Sequence, residues 1–420
     1  MVIKVLQNLA NFKLSEISQV SIAIKPLYLN SNLYMISFDN TENAFKAKSN
    51  SDLNRSYWLF KMVSNPALVK FGAVTAPIGL AIGFKGLIKN TIFKQFVGGE
   101  NITECDRTIA ELGKYNIGTI LDYSVEGKES EADFDACCKE TIETIHKAKN
   151  DKYIPFSVFK VTGLARFALL EKVSANEKLT DAETKEYEKV KQRVYQISKE
   201  AHAANQPLFI DAEESWIQPA IDALADENMA LFNKEKTIVF NTFQLYRKDR
   251  LDFLKQTIAK GKAKGFHVGA KLVRGAYMEK ERARAIEKNY PSPIQNTKED
   301  SDRDYNLALE ECLKNIDMMG LCAGTHNEKS SLYLVELLSK YAISSSDKRI
   351  FFSQLLGMSD HISYNLALAN YNVAKYVPYG PVKEVLPYLI RRAQENTSVK
   401  GQTGRELGLI MKEKERRKRK

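Results

Sequence analysis

The sequence predicts an α/β fold: a distorted (β/α)8 TIM-like barrel that follows an N-terminal helical arm. Short apolar or β-branched runs recur eight times beyond residue 95, at spacings of about 25 to 55 residues, which leave room for a helix between successive runs. Such alternation is typical of a parallel sheet, and eight units favour a closed barrel. No GxGxxG motif follows any run, which argues against a Rossmann dinucleotide domain.

The first 95 residues have the pattern of helices and connections, without strand alternation. Residues 41–45 and 52–63 look like helices that pack on another surface. The most apolar run, residues 71–84, is bounded by Lys70 and Lys85 and is too short to span a bilayer at about 1.5 Å per residue. It predicts a core helix, and attachment at a membrane interface is the alternative.

The eight predicted strands share apolar or β-branched side chains and a polar or glycine-containing break after each run. They cover residues 118–123, 156–161, 207–210, 238–244, 267–273, 321–325, 349–354 and 373–377. We therefore assign residues 1–95 to the N-terminal helical arm, residues 96–407 to the catalytic barrel and residues 408–420 to a basic C-terminal tail.

Polar side chains stand where the predicted strands end. They are Asp122, Tyr123, Lys160, Asp211, Glu213, Glu214, Gln244, Lys271, Arg274, Thr325, His326, Asn327, Gln354 and Tyr376. The carboxyl ends of barrel strands line one rim, and that rim is where barrel enzymes carry out their chemistry. Any one of these residues could be a satisfied structural group, but their shared position predicts an active site.

The last predicted strand leads through a Pro-Tyr-Gly-Pro turn into a helix that carries two adjacent arginines. Side chains that fall within one arc of about 100° on this helix are Tyr388, Arg391, Arg392 and Glu395. The neighbouring face, expected to pack, holds Val382, Leu386, Leu389, Ile390 and Ala393. Two guanidiniums steadied by a carboxylate suit a carboxylate or phosphate ligand. A surface helix with one Arg–Glu pair is the alternative.

The charge and composition bound the function classes. With 44% hydrophobic and 27% charged residues, the chain is typical of a globular protein. Of its net charge of +10, half lies in residues 412–420, which hold seven basic and two acidic side chains. The rest lacks a basic stripe with interleaved aromatics, so no nucleic-acid partner is expected. The tail predicts a frayed, solvated end, and contact with an acidic surface or anionic lipid is the weaker alternative.

Cysteine and histidine patterns point to neither disulfides nor a metal. The five cysteines include no CxxC motif, which favours a reducing, cytoplasmic compartment. The five histidines show no paired ligand spacing, so no metal site is expected. Residues 1–13 have neither a secretory nor a transit pattern.

Six blocks of residues carry a resemblance to a known family. They read FIDAEESWIQPA (209–220), NTFQLYRKD (241–249), GAKLVRGAYMEKERARA (269–285), THNE (325–328), QLLGM (354–358) and KYVPYGPVKEVLPYLIRRAQEN (375–396). With weaker similarity reaching towards the amino terminus, the chain resembles the proline dehydrogenase (proline oxidase) family from about residue 35 to about residue 407, in its stand-alone, eukaryotic-like form.

The resemblance implies an activity, a cofactor and partners. Members oxidise L-proline to Δ1-pyrroline-5-carboxylate, the first step of proline catabolism, by hydride transfer to N5 of an FAD held without a Rossmann fold. Electrons then pass to a membrane quinone. Peripheral contact at the inner face of the cytoplasmic membrane is therefore expected for this chain.

Matching positions imply the roles of individual residues. Those around the substrate are Lys160, Asp211, Leu355, Tyr376, Tyr388, Arg391, Arg392 and Glu395, of which Lys160, Asp211, Arg391 and Arg392 are expected to act in catalysis. The arginine pair and Lys160 match the cations that bind the substrate carboxylate, and Glu395 matches the acid that orients the arginines. Positions around the flavin are Gln244, Lys271, Val273, Gly275, Ala276, Thr325, His326, Asn327 and Gln354. At the position of Lys271, bifunctional bacterial members usually have arginine, whereas stand-alone members commonly have lysine.

Two other functions fit the residues alone. A Schiff-base aldolase could use Lys160 or Lys271 as its nucleophile. A degenerate barrel could instead bind nucleic acid or membrane through its basic tail.

Overall fold

A computed structural model describes residues 36–81, 83, 85–123, 129–149, 151–398 and 402–419 of the chain. Residues 1–35 of the predicted arm, and Ile82 and Phe84 of the apolar run, lie outside these residues. The barrel and the helices described below belong to one compact unit, Ser37–Lys420.

Eight parallel strands close into a barrel, and each predicted run supplies one of them. The strands are β1 (Ile117–Tyr123), β2 (Phe156–Lys160), β3 (Leu208–Asp211), β4 (Val239–Gln244), β5 (Val268–Val273), β6 (Met319–Gly324), β7 (Ile350–Leu355) and β8 (Val373–Tyr379). Each strand pairs with the next in sequence, and β8 pairs with β1. The predicted (β/α)8 architecture is confirmed.

Helices cover the outside of the barrel and its ends. The α-helices are Thr41–Ala44, Asn50–Val63, Pro66–Ala81, Lys85–Ile88, Lys94–Phe96, Asp106–Gly113, Glu131–Lys149, Phe167–Ser174, Asp181–Ala203, Gln218–Phe232, Arg250–Lys264, Met278–Glu287, Lys298–Lys314, Glu328–Lys340, Asp360–Leu368, Val382–Ser398 and Gln402–Lys418. A π-helical turn covers Lys89–Phe93, and 3-10 helices cover Thr103–Cys105, Val161–Gly163 and Ile316–Met318.

Aromatic side chains fill the interior of the barrel. The rings of Phe156 and Phe209 stack with centroids 4.3 Å apart, and Phe240 meets both edge-on. All three are buried. A barrel packed in this way is a solid core and not a pore, so chemistry is confined to its rim.

Strand β8 runs two residues further than predicted. Pro378 and Tyr379 continue the pairing with β1, where a turn was expected. The carbonyl of Pro378 accepts the N–H of Gly98 at 2.9 Å, and the N–H of Gly380 donates to Gly99 at 3.1 Å. A proline is tolerated here because the ladder uses its carbonyl and does not need an N–H.

The arm helices form where expected, but the apolar run is not a core helix. Residues 71–81 belong to the helix Pro66–Ala81, in which Phe71 is 69% exposed and Val74 is 68% exposed. The core prediction is therefore wrong for these residues. No helix in the described part of the chain is long and apolar enough to cross a membrane.

The carboxyl-terminal segment is not a frayed end, and that prediction is wrong as far as Arg419. The helix Gln402–Lys418 buries Leu409 and Ile410 against the arm helices. Arg417 donates to the carbonyls of Phe45 and Lys48, each at 2.9 Å. The division of the chain into arm, barrel and tail stays a prediction.

The close approach of the loop after β7 to Gln95 can be tested by substitution. Gly357 has φ +76°, and an added Cβ would lie 2.1 Å from the carbonyl oxygen of Gln95. Gly265 has φ +65° but no atom within 4 Å of its added Cβ. We expect Gly357→Ala to lower the free energy of unfolding by about 3 kcal/mol or more, and the control Gly265→Ala by about 1 kcal/mol. If urea denaturation shows that both substitutions lower the free energy of unfolding equally, the close approach of Gly357 to Gln95 is contradicted.

Candidate active site at the barrel mouth

A buried carboxylate, Asp211 at the end of β3, joins side chains from across the barrel mouth. It accepts hydrogen bonds from Lys271 on β5 at 2.5 Å and from the Tyr376 hydroxyl on β8 at 2.6 Å. Lys160, its register partner on β2, lies 3.3 Å away. The structure thus brings together four of the residues predicted for the rim.

The charges in this cluster stabilise one another. Burial alone would raise the pKa of Asp211, but the ammonium groups of Lys271 and Lys160 outweigh it, and the pKa falls below its usual value. Burial opposes the charge on Lys160, yet the carboxylates of Asp122 and Asp211 raise its pKa well above the ordinary value. A Schiff-base nucleophile needs a neutral amine, so this environment argues against Lys160 in that role.

The first arginine of the pair faces a cavity of about 350 Å³ that also contacts Lys160, Glu213 and Tyr277. Arg391 reaches it from the helix Val382–Ser398, which follows β8 directly. Two cations therefore border a cavity large enough for a small anion-bearing molecule.

The second arginine, Arg392, belongs to the same helix and is buried. The Arg392 guanidinium lies 5.2 Å from the centre of the Tyr388 ring. Leu355, at the end of β7, packs against the cluster that contains Tyr388 and against the one that contains Tyr376. Leu355 thus connects the clusters of Tyr376 and Tyr388, and the role of these residues in a substrate pocket stays a prediction. The side chain of Glu395 lies outside the described residues, and its role stays a prediction.

The predicted cofactor residues on β4 and β5 lie side by side. Gln244 and Val273 are register partners, and Gly275 and Ala276 follow as exposed backbone. The Nε2 of Gln244 donates to the carbonyl of Glu213 at 3.0 Å, whereas its buried Oε1 has no hydrogen-bond partner among the described residues. The Oε1 of Gln244 and the exposed residues Gly275 and Ala276 are therefore available to a ligand as hydrogen-bonding groups.

Gly275 is required at its position by the backbone. It has φ +140°, and an added Cβ would lie 2.3 Å from the ring of Tyr246. Only glycine fits both the conformation and the space.

The predicted cofactor residues on β6 and β7 are held by hydrogen bonds. Gln354 donates to the carbonyl of Thr325 at 3.2 Å, and Arg274 donates to the Thr325 hydroxyl at 2.8 Å. Asn327 caps the helix Glu328–Lys340 by accepting the N–H of Ser330. Thr325 is therefore held by Gln354 of β7 and by Arg274, which follows β5.

His326 is neutral in this setting. Burial, reinforced by the positive charges of Lys375 and Arg392, lowers its pKa to about 3. Its Nδ1 is 2.9 Å from the hydroxyl oxygen of Ser359. A neutral imidazole can offer its second ring nitrogen to a ligand as donor or acceptor.

Two residues at the cavity had no role in the sequence interpretation. Glu213 was named only as a polar residue at a strand end, and Tyr277 occurred only within the sequence block 269–285. The Glu213 carboxylate accepts the N–H of Thr162 at 3.0 Å and its hydroxyl at 2.5 Å. Burial raises the pKa of Glu213 to about 7 despite these hydrogen bonds. A residue pattern cannot supply this environment, because it depends on burial.

The pKa of Glu213 predicts a pH dependence of stability. Because the pKa of this carboxyl is about 7 in the folded protein and 4.5 ordinarily, the folded state keeps a proton that the unfolded chain releases between these values. The free energy of unfolding should therefore fall as pH rises through this window, and less steeply in Glu213→Gln. Urea denaturation at a series of pH values measures both slopes, and identical slopes would contradict the raised pKa.

Comparisons with known proteins identify related sequences. Residues 105–405 match the family model described as Proline dehydrogenase. Proline dehydrogenase 1, mitochondrial, of Dictyostelium discoideum is 32% identical, over 90% of this chain and 74% of that protein. Hydroxyproline dehydrogenase of Xenopus laevis is 31% identical, over 89% of this chain and 88% of that protein.

A solved structure shares the fold. Proline utilization A (PutA) from Bdellovibrio bacteriovorus, inactivated by N-propargylglycine, is similar with a TM-score of 0.72 over 86% of this chain. This chain spans 41% of that protein, and the two are 19% identical, so the likeness concerns the fold alone. The family model and the sequence relatives carry the assignment: the chain belongs to the proline dehydrogenase family.

Proposed function

We propose that the protein oxidises L-proline to Δ1-pyrroline-5-carboxylate with FAD as its cofactor and a quinone as electron acceptor. The observation that carries this proposal is the pair of cations, Lys160 and Arg391, on one small cavity beside the Asp211 cluster. The carboxylate of proline is the group that can form strong charge-assisted hydrogen bonds, and Lys160 and Arg391 supply the complementary charge.

The residues of the rim fit the cofactor. The Oε1 of Gln244, which has no hydrogen-bond partner among the residues that the structure describes, and the exposed Gly275 and Ala276 are positions that an isoalloxazine or its side chain could contact. Lys271, His326 and the other predicted positions would complete the site. FAD supplies the redox chemistry by accepting a hydride, which no side chain of the protein can do.

The protein's part begins with orientation of the substrate. Lys160, Arg391 and Arg392 would bind the carboxylate, and each charge-assisted hydrogen bond contributes about 1.5–3 kcal/mol where water is excluded. Leu355 and the rings of Tyr376 and Tyr388 would border the methylene groups. Fixing one end of so small a molecule fixes the position of its reacting carbon.

The same cations favour the reactive form of the substrate. A hydride leaves readily only from the neutral amine, so bound proline must lose its ammonium proton. Positive charge on Lys160 and the two arginines lowers the pKa of a nearby amine. The ionised Asp211 would hold Lys271 and Tyr376 in place while this occurs.

Delivery of electrons to a membrane quinone requires contact with a bilayer. The arm helices Asn50–Val63 and Pro66–Ala81 expose the apolar side chains of Trp58, Met62, Leu68, Phe71 and Val74. Residues 44–95 contain eight basic side chains and one acidic one, Asp52. Apolar groups among basic ones suit an anionic lipid surface, so we propose this face as the membrane contact. The cytoplasmic location stays a prediction.

The first test uses absorbance. The purified protein should be yellow, and anaerobic addition of L-proline should bleach the flavin band. Arg392→Lys should need about tenfold more proline or more for half-maximal bleaching. A lysine ammonium cannot form the two parallel hydrogen bonds that a planar guanidinium makes to a carboxylate.

Arg282→Lys is the matched control, because Arg282 is an exposed arginine on the helix Met278–Glu287. Hydroxyproline, titrated in parallel, shows which imino acid is preferred. A protein that binds FAD but never bleaches with either compound overturns the proposed function.

A second test concerns the membrane. Phe71→Glu combined with Val74→Glu should reduce sedimentation with phosphatidylglycerol-containing vesicles by about tenfold. Two apolar side chains would then be replaced by carboxylates, which oppose insertion into an anionic lipid surface. Ile286→Glu is the control, since Ile286 is equally apolar and 82% exposed on another helix. Unchanged vesicle binding in the double variant would rule out this surface.

A further inference from the structure

Two adjacent residues of the carboxyl-terminal helix reach two different loops of the rim. Arg405 donates to the Glu328 carboxylate at 2.7 and 3.1 Å, and Glu328 directly follows Asn327. Glu406 accepts the backbone N–H of Ser359, just before the helix Asp360–Leu368. One turn of this helix therefore contacts the loops after both β6 and β7.

The contact at Ser359 leads to His326, and Glu328 follows His326 by two residues in the chain. Ser359 is fully buried and has the left-handed conformation φ 50°, ψ 41°, which a serine rarely adopts. Its hydroxyl oxygen lies 2.9 Å from Nδ1 of His326, so that hydroxyl does not cap its own helix. The carboxylate of Glu406 holds the same residue through its N–H. His326 thus depends on an unusual backbone conformation that Glu406 supports.

Docking of the helix does not by itself explain a buried acid at this position. Leu409, Ile410 and Arg417 already attach the helix to the arm. Glu406 is only 3% exposed, and removing a carboxylate from water is unfavourable unless its partners are well placed. Besides the Ser359 N–H, it lies 3.8 Å from Nδ1 of His361. Both of these contacts of Glu406, with Ser359 and with His361, lie beside the rim.

We propose that Arg405 and Glu406 are positioning residues for His326, through Glu328 and Ser359 respectively, and that the docked carboxyl-terminal helix thereby sets the affinity of the flavin site. This inference rests on the proposed function, because it takes FAD as the ligand that His326 contacts. Neither residue touches the reacting atoms, so their effect must pass through His326.

A double-mutant cycle on FAD binding tests the proposal. The protein and its Glu406→Gln, His326→Ala and doubly substituted variants are titrated with FAD, and binding is followed by flavin fluorescence and the visible spectrum. Glu406→Gln should weaken FAD binding by about fivefold or more in the parent protein and by less than about twofold once His326 is alanine. The exposed Glu415 of the same helix supplies the control, Glu415→Gln, which should leave binding unchanged.

The outcomes separate the two proposals. Equal weakening by Glu406→Gln in both backgrounds, or no weakening at all, overturns the positioning role. Should Glu406→Gln fail to fold, Arg405→Ala, at a half-exposed residue, takes its place in the cycle and the same criteria apply. A parent protein that binds FAD but is not reduced by proline overturns the proposed function alone, while one that never binds FAD overturns both.

Discussion

The arrangement of the site depends on one buried ion cluster, in which the Asp211 carboxylate meets Lys271, Lys160 and the Tyr376 hydroxyl. These side chains come from four strands, so the cluster cross-links the barrel at its carboxyl end. Buried charges are tolerated only when each finds partners with good geometry. The requirement to satisfy Asp211 therefore fixes the positions of Lys160, Lys271 and Tyr376, which we propose for the substrate and cofactor sites, before any ligand arrives.

Much of the fold follows from the periodicity of the sequence. Apolar runs at regular intervals locate every strand to within a few residues, because a parallel strand buried on both faces has few alternatives. Exposure is harder to read. The helix with Phe71 has the composition of a core element, yet within the described part of the arm Phe71 and Val74 stay largely exposed. The basic tail hides Leu409 and Ile410 among charges that pair with one another, such as Glu413 with Arg416 and Arg417.

The candidate site divides in the same way. Strand ends and the adjacent arginines could be placed from sequence, since a barrel brings all strand ends to one rim. The state of each group could not. That Glu213 is buried, or that Ser359 turns its hydroxyl towards His326, follows from contacts between residues far apart in the chain. No sequence pattern pointed to Glu406, because its role depends on how the helix that carries it packs against the barrel.

The contact between Arg417 and the carbonyl of Phe45 joins residues 372 positions apart. During synthesis, the amino-terminal helices emerge from the ribosome long before their partner exists, and their apolar faces remain uncovered in the meantime. This contact can form only after residue 417 has been synthesised, and contacts between residues far apart in the chain form slowly. Nascent chains that stall before this helix would be the ones that need chaperones.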